Sequence, residues 1–194
     1  MRCVVWISKK GYYMDRGKEA PVLEEQDIFL RLMDWEDTDY IIRWRNSDFV
    51  YRNFIYQKPF TREGHGNWIR EMIHTGRAVQ FIICRKDTGQ PVGSVYLRDI
   101  DQIHHKAEYG IFIGEKDALG KGFGTQAAGL MIRYAFENLG LHKLMLRVLA
   151  ENLPAIKSYE HAGFTREAYL KDEVFLEGRY KDVIYMAVIN NEND

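Results

Sequence analysis

Three glycines spaced two apart, Gly120, Gly122 and Gly124, stand between a strand-like segment at 107–113 and a helical pattern that is clear from Ala127 onward. A glycine-rich strand-to-helix junction leaves backbone N–H groups uncovered at the positive end of a helix, which is a site for phosphate. The run Leu119-Gly120-Lys121-Gly122-Phe123-Gly124-Thr125 lacks the Gly-Lys-Ser/Thr ending with which nucleotide hydrolases reach terminal phosphates and magnesium. A dinucleotide fold is disfavoured too, because the strands before the loop read as a hairpin meander instead of a βαβ unit. Two further groups could do chemistry. Tyr159 lies two helical turns after Asn152 and so faces the same side of its helix. Strand alternation puts Glu108 on one face with Gly110, Phe112 and Gly114.

The elements that must carry these groups can be read from the pattern. An apolar segment at 28–33 precedes a helix capped by Asp34, with Ile41, Ile42 and Trp44 in its buried stripe. A second helix starts near Thr61, buries Trp68, Ile69, Met72 and Ile73, and stops near Gly76. Residues 79–84 and 91–97 flank Asp87-Thr88-Gly89-Gln90, a hairpin signal, since Asp and Gly tolerate positive φ. After the glycine loop come a helix, an alternating strand at 144–148 and a helix begun by Asn152 with Pro154 in its first turn. Two last strands, near 164–175 and 180–188, complete a mixed sheet flanked by helices.

Composition bounds the partners. With 27 Lys+Arg against 28 Asp+Glu, the formal net charge of −1 gives no global field for nucleic acid or an anionic membrane, so a small molecule is the expected partner. Cys3 and Cys84 form neither a disulfide framework nor a metal spacing, which fits a reducing cytoplasm. The apolar stretch Cys3 to Ile7, closed by Lys9 and Lys10, is too short for a signal-peptide core or a bilayer span. Residues 1–26 are expected to be an accessory arm, and residues 27–194 one domain.

The glycine loop resembles the pyrophosphate loop of the GCN5-related N-acetyltransferases (GNAT), Arg/Gln-x-x-Gly-x-Gly/Ala after the fourth strand, with Leu119 in place of the Arg or Gln and Lys121 as a substitute charge. Asn152-Leu153-Pro154-Ala155-Ile156-Lys157-Ser158-Tyr159-Glu160-His161-Ala162-Gly163-Phe164 resembles the family's Asn-x-x-Ala-x-x-x-Tyr-x-x-x-Gly-Phe helix, at the usual separation. The ending Glu177-Gly178-Arg179-Tyr180-Lys181-Asp182-Val183 looks like the last hairpin of the ribosomal-protein and spermidine acetyltransferase branch. The resemblance covers roughly residues 28–189.

It implies a single α/β (α+β) GNAT domain: a mixed, mostly antiparallel sheet of six to seven strands, splayed between strands 4 and 5 and flanked by about four helices. It implies acetyl-CoA as co-substrate, without a metal, and direct attack of a primary amine on the thioester. By resemblance, acetyl-CoA would be held by Phe112, Ile113 and Gly114, by Leu119, Gly120, Lys121, Gly122, Phe123, Gly124 and Thr125, and by Asn152. Tyr159 would give its proton to the CoA sulfur; a phenol near ~10 facing a thiol near ~8.5 is mildly uphill, so hydrogen-bond donation is the alternative. Glu108 is the candidate base, with a paired carboxylate and proton loss through water as alternatives.

For the acceptor, Trp44-Arg45-Asn46 and the later His65-Gly66-Asn67-Trp68-Ile69 resemble elements of aminosugar-nucleotide N-acetyltransferases, in which Arg45 and His65 would contact the nucleotide sugar. A polyamine such as spermidine is the second expectation, protein N-terminal acetylation the third, and a non-catalytic acyl-CoA-binding module the one outside the enzymes. A homodimer or larger homo-oligomer is compatible with this reading.

Overall fold

The computed structural model describes residues 6–8, 11–13 and 23–191. Strands β1 (Trp6–Ser8) and β2 (Gly11–Tyr13) pair as a small antiparallel ribbon. The main sheet has eight strands: β3 (Leu23–Glu24), β4 (Ile28–Leu32), β5 (Ala78–Arg85), β6 (Pro91–Asp101), β7 (Lys106–Ile113), β8 (Lys143–Leu149), β9 (Thr165–Leu176) and β10 (Arg179–Ile189). Their order is β3-β4-β5-β6-β7-β8-β10-β9. The sheet is thus one strand wider than six to seven, because Leu23–Glu24 pairs with β4 at the edge. Two residues carry no alternation, so that strand has no signature in the sequence.

Every neighbouring pair is antiparallel except β7 and β8, which run parallel and pair only through Lys106↔Lys143, Ala107↔Leu144 and Glu108↔Met145. Beyond Glu108 the two strands part. This is the expected splay, and a parallel neighbour needs the long crossover that the glycine loop and its helix supply.

Helices cover both faces, so the central strands are buried on both sides. On one face α4 (Phe123–Arg133) and α5 (Leu153–His161) pack Ala127, Leu130, Met131 and Ile156 against Val95, Leu97 and Leu146. On the other, α1 (Thr38–Arg45), α2 (Asp48–Tyr51) and α3 (Arg62–Trp68) pack Ile41 and Trp44 against Ile82 and Cys84, with Ile69 and Ile73 in the π-helical continuation Ile69–Ile73. Alternation along β5 sends Phe81 and Ile83 to the first core and Ile82 and Cys84 to the second. The cap signals hold: Asp34 and Asp37 form a reciprocal box, Thr61 Oγ1 accepts from the Gly64 N–H, and Asn152 Oδ1 accepts from the Ala155 N–H. The four-residue α2 is the helix beyond the expected four. No helix among the described residues is long and apolar enough to cross a membrane.

Candidate active site

One cleft of about 1290 Å³ runs through the splay and opens on both faces of the sheet. Its floor on the α4–α5 side is the glycine loop. Gly120 and Gly122 have φ of 72° and 77°, a left-handed backbone that side chains rarely adopt, and Gly122 begins α4 with no side chain capping the first N–H groups. Those donors are left for a ligand. Gly124 faces Ser158 across the two helices, and the Thr125 and Ser158 hydroxyls stand 2.9 Å apart between them.

The wall between the strands is unpaired backbone. The Gly114 N–H is taken by the Val92 carbonyl at 2.8 Å, so alternation turns the Ile111 and Ile113 backbone groups into the gap. An extended ligand amide could pair there as a strand would. The resemblance had included Gly114 in this wall. Gly114 instead lies outside the cleft, under the Trp44 indole, where a Cβ would fall 2.0 Å from the ring. Lys121 also lies elsewhere. Between the positive-φ residues Gly120 and Gly122, its side chain lines a separate groove with Gln26, Asp27, Arg85 and Lys86. The other expected residues, Tyr159, Glu108, Phe112, Ile113, Leu119, Gly120, Gly122, Phe123, Gly124, Thr125, Asn152, Arg45 and His65, all line this one cleft.

Tyr159 is set in an aromatic trio, edge-on to Tyr109 at 6.1 Å and to Phe164 at 6.0 Å. Burial raises its pKa well above the ordinary tyrosine value, so the phenol is a protonated donor throughout the neutral range. Glu108 is on the opposite face, where Arg98 donates to it at 2.6 Å and Arg147 at 3.3 Å. This is the paired-carboxylate alternative. Arg98, Arg147 and the Tyr96 ring, which fills the space that Gly110 leaves open, were missed in the sequence. Arg98 is directly opposite Glu108 in the β6–β7 register and Arg147 is two residues past its β8 partner, pairings that the sequence alone does not carry.

Arg45 stacks on the Phe54 ring at 3.5 Å and lies 5.0 Å from the Phe60 ring, and no carboxylate pairs with it within 4.0 Å among the described residues. Burial, and then the nearby Arg98 charge, lower its pKa against the favourable Tyr96. His65 is fully buried, and burial holds its pKa down at about 4. The Thr38 hydroxyl donates to the Trp35 carbonyl at 2.6 Å, so at 3.1 Å it accepts from His65 Nδ1–H and leaves Nε2 as a bare lone pair. The acceptor half of the cleft is therefore aromatic, with the guanidiniums of Arg45, Arg98 and Arg147 near the carboxylate of Glu108, and Arg52, Arg179, Glu151 and Glu177 also line the cleft. No group of three or more metal-holding side chains occurs among the described residues.

With this geometry in place, the acetyltransferase (GNAT) domain model matches residues 27–165. The chain is 32% identical over 166 residues to spermidine N(1)-acetyltransferase of Escherichia coli K12, covering 85% of this chain and 87% of that one. It is 30% identical over 174 residues to a Bacillus licheniformis protein named uncharacterized N-acetyltransferase p20, covering 88% and 97%. Among solved structures, spermidine N-acetyltransferase from Vibrio cholerae in complex with CoA and spermine superposes with a TM-score of 0.77 at 29% identity, covering 84% and 95%.

Proposed function

The chain belongs to the GNAT acetyltransferase family and is an acetyl-CoA-dependent N-acetyltransferase, and from that premise we propose that a small primary amine attacks the thioester directly in the cleft between β7 and β8. The observation that carries this is the splay itself. Unpaired β7 backbone, an uncapped helix start behind two positive-φ glycines and a protonated Tyr159 converge on one cavity. The site fits a phosphate-bearing thioester at both ends: open N–H donors for the pyrophosphate, strand-edge groups for the amide arm.

The α4 N-terminus and the loop residues hold the pyrophosphate, Ile111 and Ile113 align the arm, and Tyr159 donates a hydrogen bond toward sulfur as negative charge develops there. Its raised pKa makes donation, more than full proton transfer, its contribution. The amine proton leaves through water, while Glu108 holds Arg98 and Arg147 in place. A cytoplasmic setting accords with the unpaired Cys84 thiol.

For the acceptor, polyamines come first, ahead of the aminosugar nucleotides that sequence resemblance had favoured, because two of the three relatives named above are spermidine acetyltransferases. The aromatic walls Phe54, Phe60, Trp68 and Tyr96 suit an alkyl-ammonium chain. One observation favours a second class. Arg45 is a half-buried guanidinium without a counter-ion among the described residues, and an amine carrying a carboxylate or phosphate would supply one. Thiol release from acetyl-CoA, measured with spermidine, spermine, aminosugar nucleotides and amino acids side by side, tests this. Preference for spermidine or spermine supports the first reading, turnover only with anion-bearing amines supports the second, and none with any amine overturns both.

A further inference from the structure

Glycine at position 110 does not serve its own backbone, whose φ is not left-handed and which pairs in regular register with Tyr96 of β6. It serves space. A Cβ at Gly110 would fall 2.3–2.5 Å from the Cζ, hydroxyl and Cε2 of Tyr96, so the phenol end lies over the strand where any side chain would displace it. The Tyr96 ring meets Trp68 edge-on at 5.7 Å, and that indole is held in turn by donation to Gln80, which donates on to Ser94. Gly110 comes two residues after Glu108, the last of β7 to pair with β8, so Tyr96 reaches across β7 where the sheet has opened. It is half-buried and lines the cleft.

The hydroxyl has charged neighbours of one kind. The Arg45 guanidinium lies beside it and Arg98 is near enough to feel its charge, and a guanidinium can only donate. Among the described residues no acceptor takes the Tyr96 hydrogen, and the Tyr96 oxygen is not one of the buried polar atoms that lack a partner. The O–H is therefore a donor left for the cleft. Tyr96 packs with the α1–α3 core and Tyr159 with the α4–α5 core, yet the two phenols are close enough that charge on Tyr96 would oppose ionisation of Tyr159. A thioester whose sulfur meets Tyr159 thus carries its acyl group through the gap toward Tyr96.

We propose that the Tyr96 hydroxyl donates a hydrogen bond to the acyl oxygen of the bound thioester, from the acceptor face and opposite Tyr159. This rests on the reading of the cleft as the acetyl-CoA site. As the amine nitrogen bonds to the acyl carbon, the carbonyl π electrons move onto oxygen. They return as the carbon–sulfur bond breaks, the sulfur leaves with its electron pair, and the amine proton goes to water. Tyr96 meets the charge at the first stage and Tyr159 at the second, and a fixed donor flanked by guanidiniums does so without reorganising. Gly110 is then a positioning residue, because the space it leaves sets where the hydroxyl lies.

The test is Tyr96→Phe, which keeps the ring and its contact with Trp68, so the melting temperature should stay near that of wild type. It is read first without turnover, from the isotope-edited infrared carbonyl stretch of carbonyl-labelled acetyl-CoA bound to each protein. Donation to the acyl oxygen weakens the carbonyl bond, so the stretch should lie lower in wild type than in the variant. Free CoA, which lacks the acyl group, should bind both alike by calorimetry. With chemistry rate-limiting, kcat should fall about tenfold, the worth of about one hydrogen bond, and by the same factor for every amine of the panel above that the wild type acetylates. The same stretch in both proteins, or an unchanged kcat, overturns the proposal whatever the melting temperature does. A loss confined to one class of amine also overturns it, by making the hydroxyl a reader of the acceptor. A wild type that does not bind acetyl-CoA, or acetylates no amine, overturns the function itself; a wild type that does both, with Tyr96→Phe identical to it, overturns this inference alone.

Discussion

Removing the Tyr159 hydroxyl isolates chemistry from folding. Tyr159→Phe keeps the edge-on contacts with Tyr109 at 6.1 Å and Phe164 at 6.0 Å, so no cavity forms and the melting temperature should shift little. What is lost is one donor facing the cleft. A positioned general acid contributes ~10²–10⁴-fold, whereas a donor that only polarises sits near the low end of that range. Burial has raised the phenol's pKa, which makes complete transfer to a thiolate near ~8.5 more uphill than in water. We therefore expect kcat to fall about 10²-fold, with the acetyl-CoA KM nearly unchanged. The assay is thiol release under conditions where chemistry is rate-limiting, run with acetyl-CoA and with an acetyl thioester of a more acidic thiol. The loss should shrink for the better leaving group. The same raised pKa fixes a pH signature: wild type and variant should share the alkaline limb of kcat/KM up to about pH 10, because the phenol does not ionise below its ordinary value. Full kcat in the variant, or the same loss with both thioesters, would refute the assignment and leave Tyr159 as a packing residue.

Gly122→Ala forces a Cβ onto a backbone at φ 77° at the first turn of α4, a cost of about 1–2 kcal/mol; acetyl-CoA affinity measured by calorimetry should fall about tenfold or more, and wild-type affinity would count against the loop as the phosphate site. Glu108→Gln strands Arg98 and Arg147, whose side chains are 24% and 26% exposed, so chemical denaturation should show a loss of about 1–3 kcal/mol, while kcat drops less than about tenfold and keeps its acid limb. Disappearance of that limb would instead make Glu108 the base. His65, held at about 4 against 6.5 when unfolded, stabilises the fold fully above pH 6.5 and progressively less as pH falls toward 4, up to about 3 kcal/mol. Melting curves from pH 7 to 4 should show that decline, and His65→Gln should flatten it; an unchanged slope would mean that His65 is not the buried neutral group described.

The fold was legible wherever period and punctuation agreed. β5 and β6 announce themselves through the Asp87-Thr88-Gly89-Gln90 turn, α3 through Thr61, and α5 through Asn152 and Pro154. The edge strand Leu23–Glu24 and the single turn Asp48–Tyr51 were not, because both owe their form to neighbours and not to a repeating pattern. In the site, backbone-driven features carried over best: the positive-φ glycines and the helix start form the cleft floor as their types require. Side-chain direction did not carry over. Nothing in Lys121's neighbours in sequence tells that its side chain lines a separate groove, nor that Trp44 covers Gly114. Glu108 was placed on the correct face by alternation, but its two arginines come from separate strands and became visible only with the β6–β7 and β7–β8 registers.

The most direct measurement mixes the protein with carbon-labelled acetyl-CoA and spermidine and follows product, free CoA and intact protein together by mass spectrometry. Direct transfer in the splay predicts labelled N-acetylspermidine formed in step with free CoA, no acetylated protein at any time, and the rate lowered about 10²-fold by Tyr159→Phe. Free CoA appearing without acetylated amine, for spermidine and for every anion-bearing amine tried, would contradict the account.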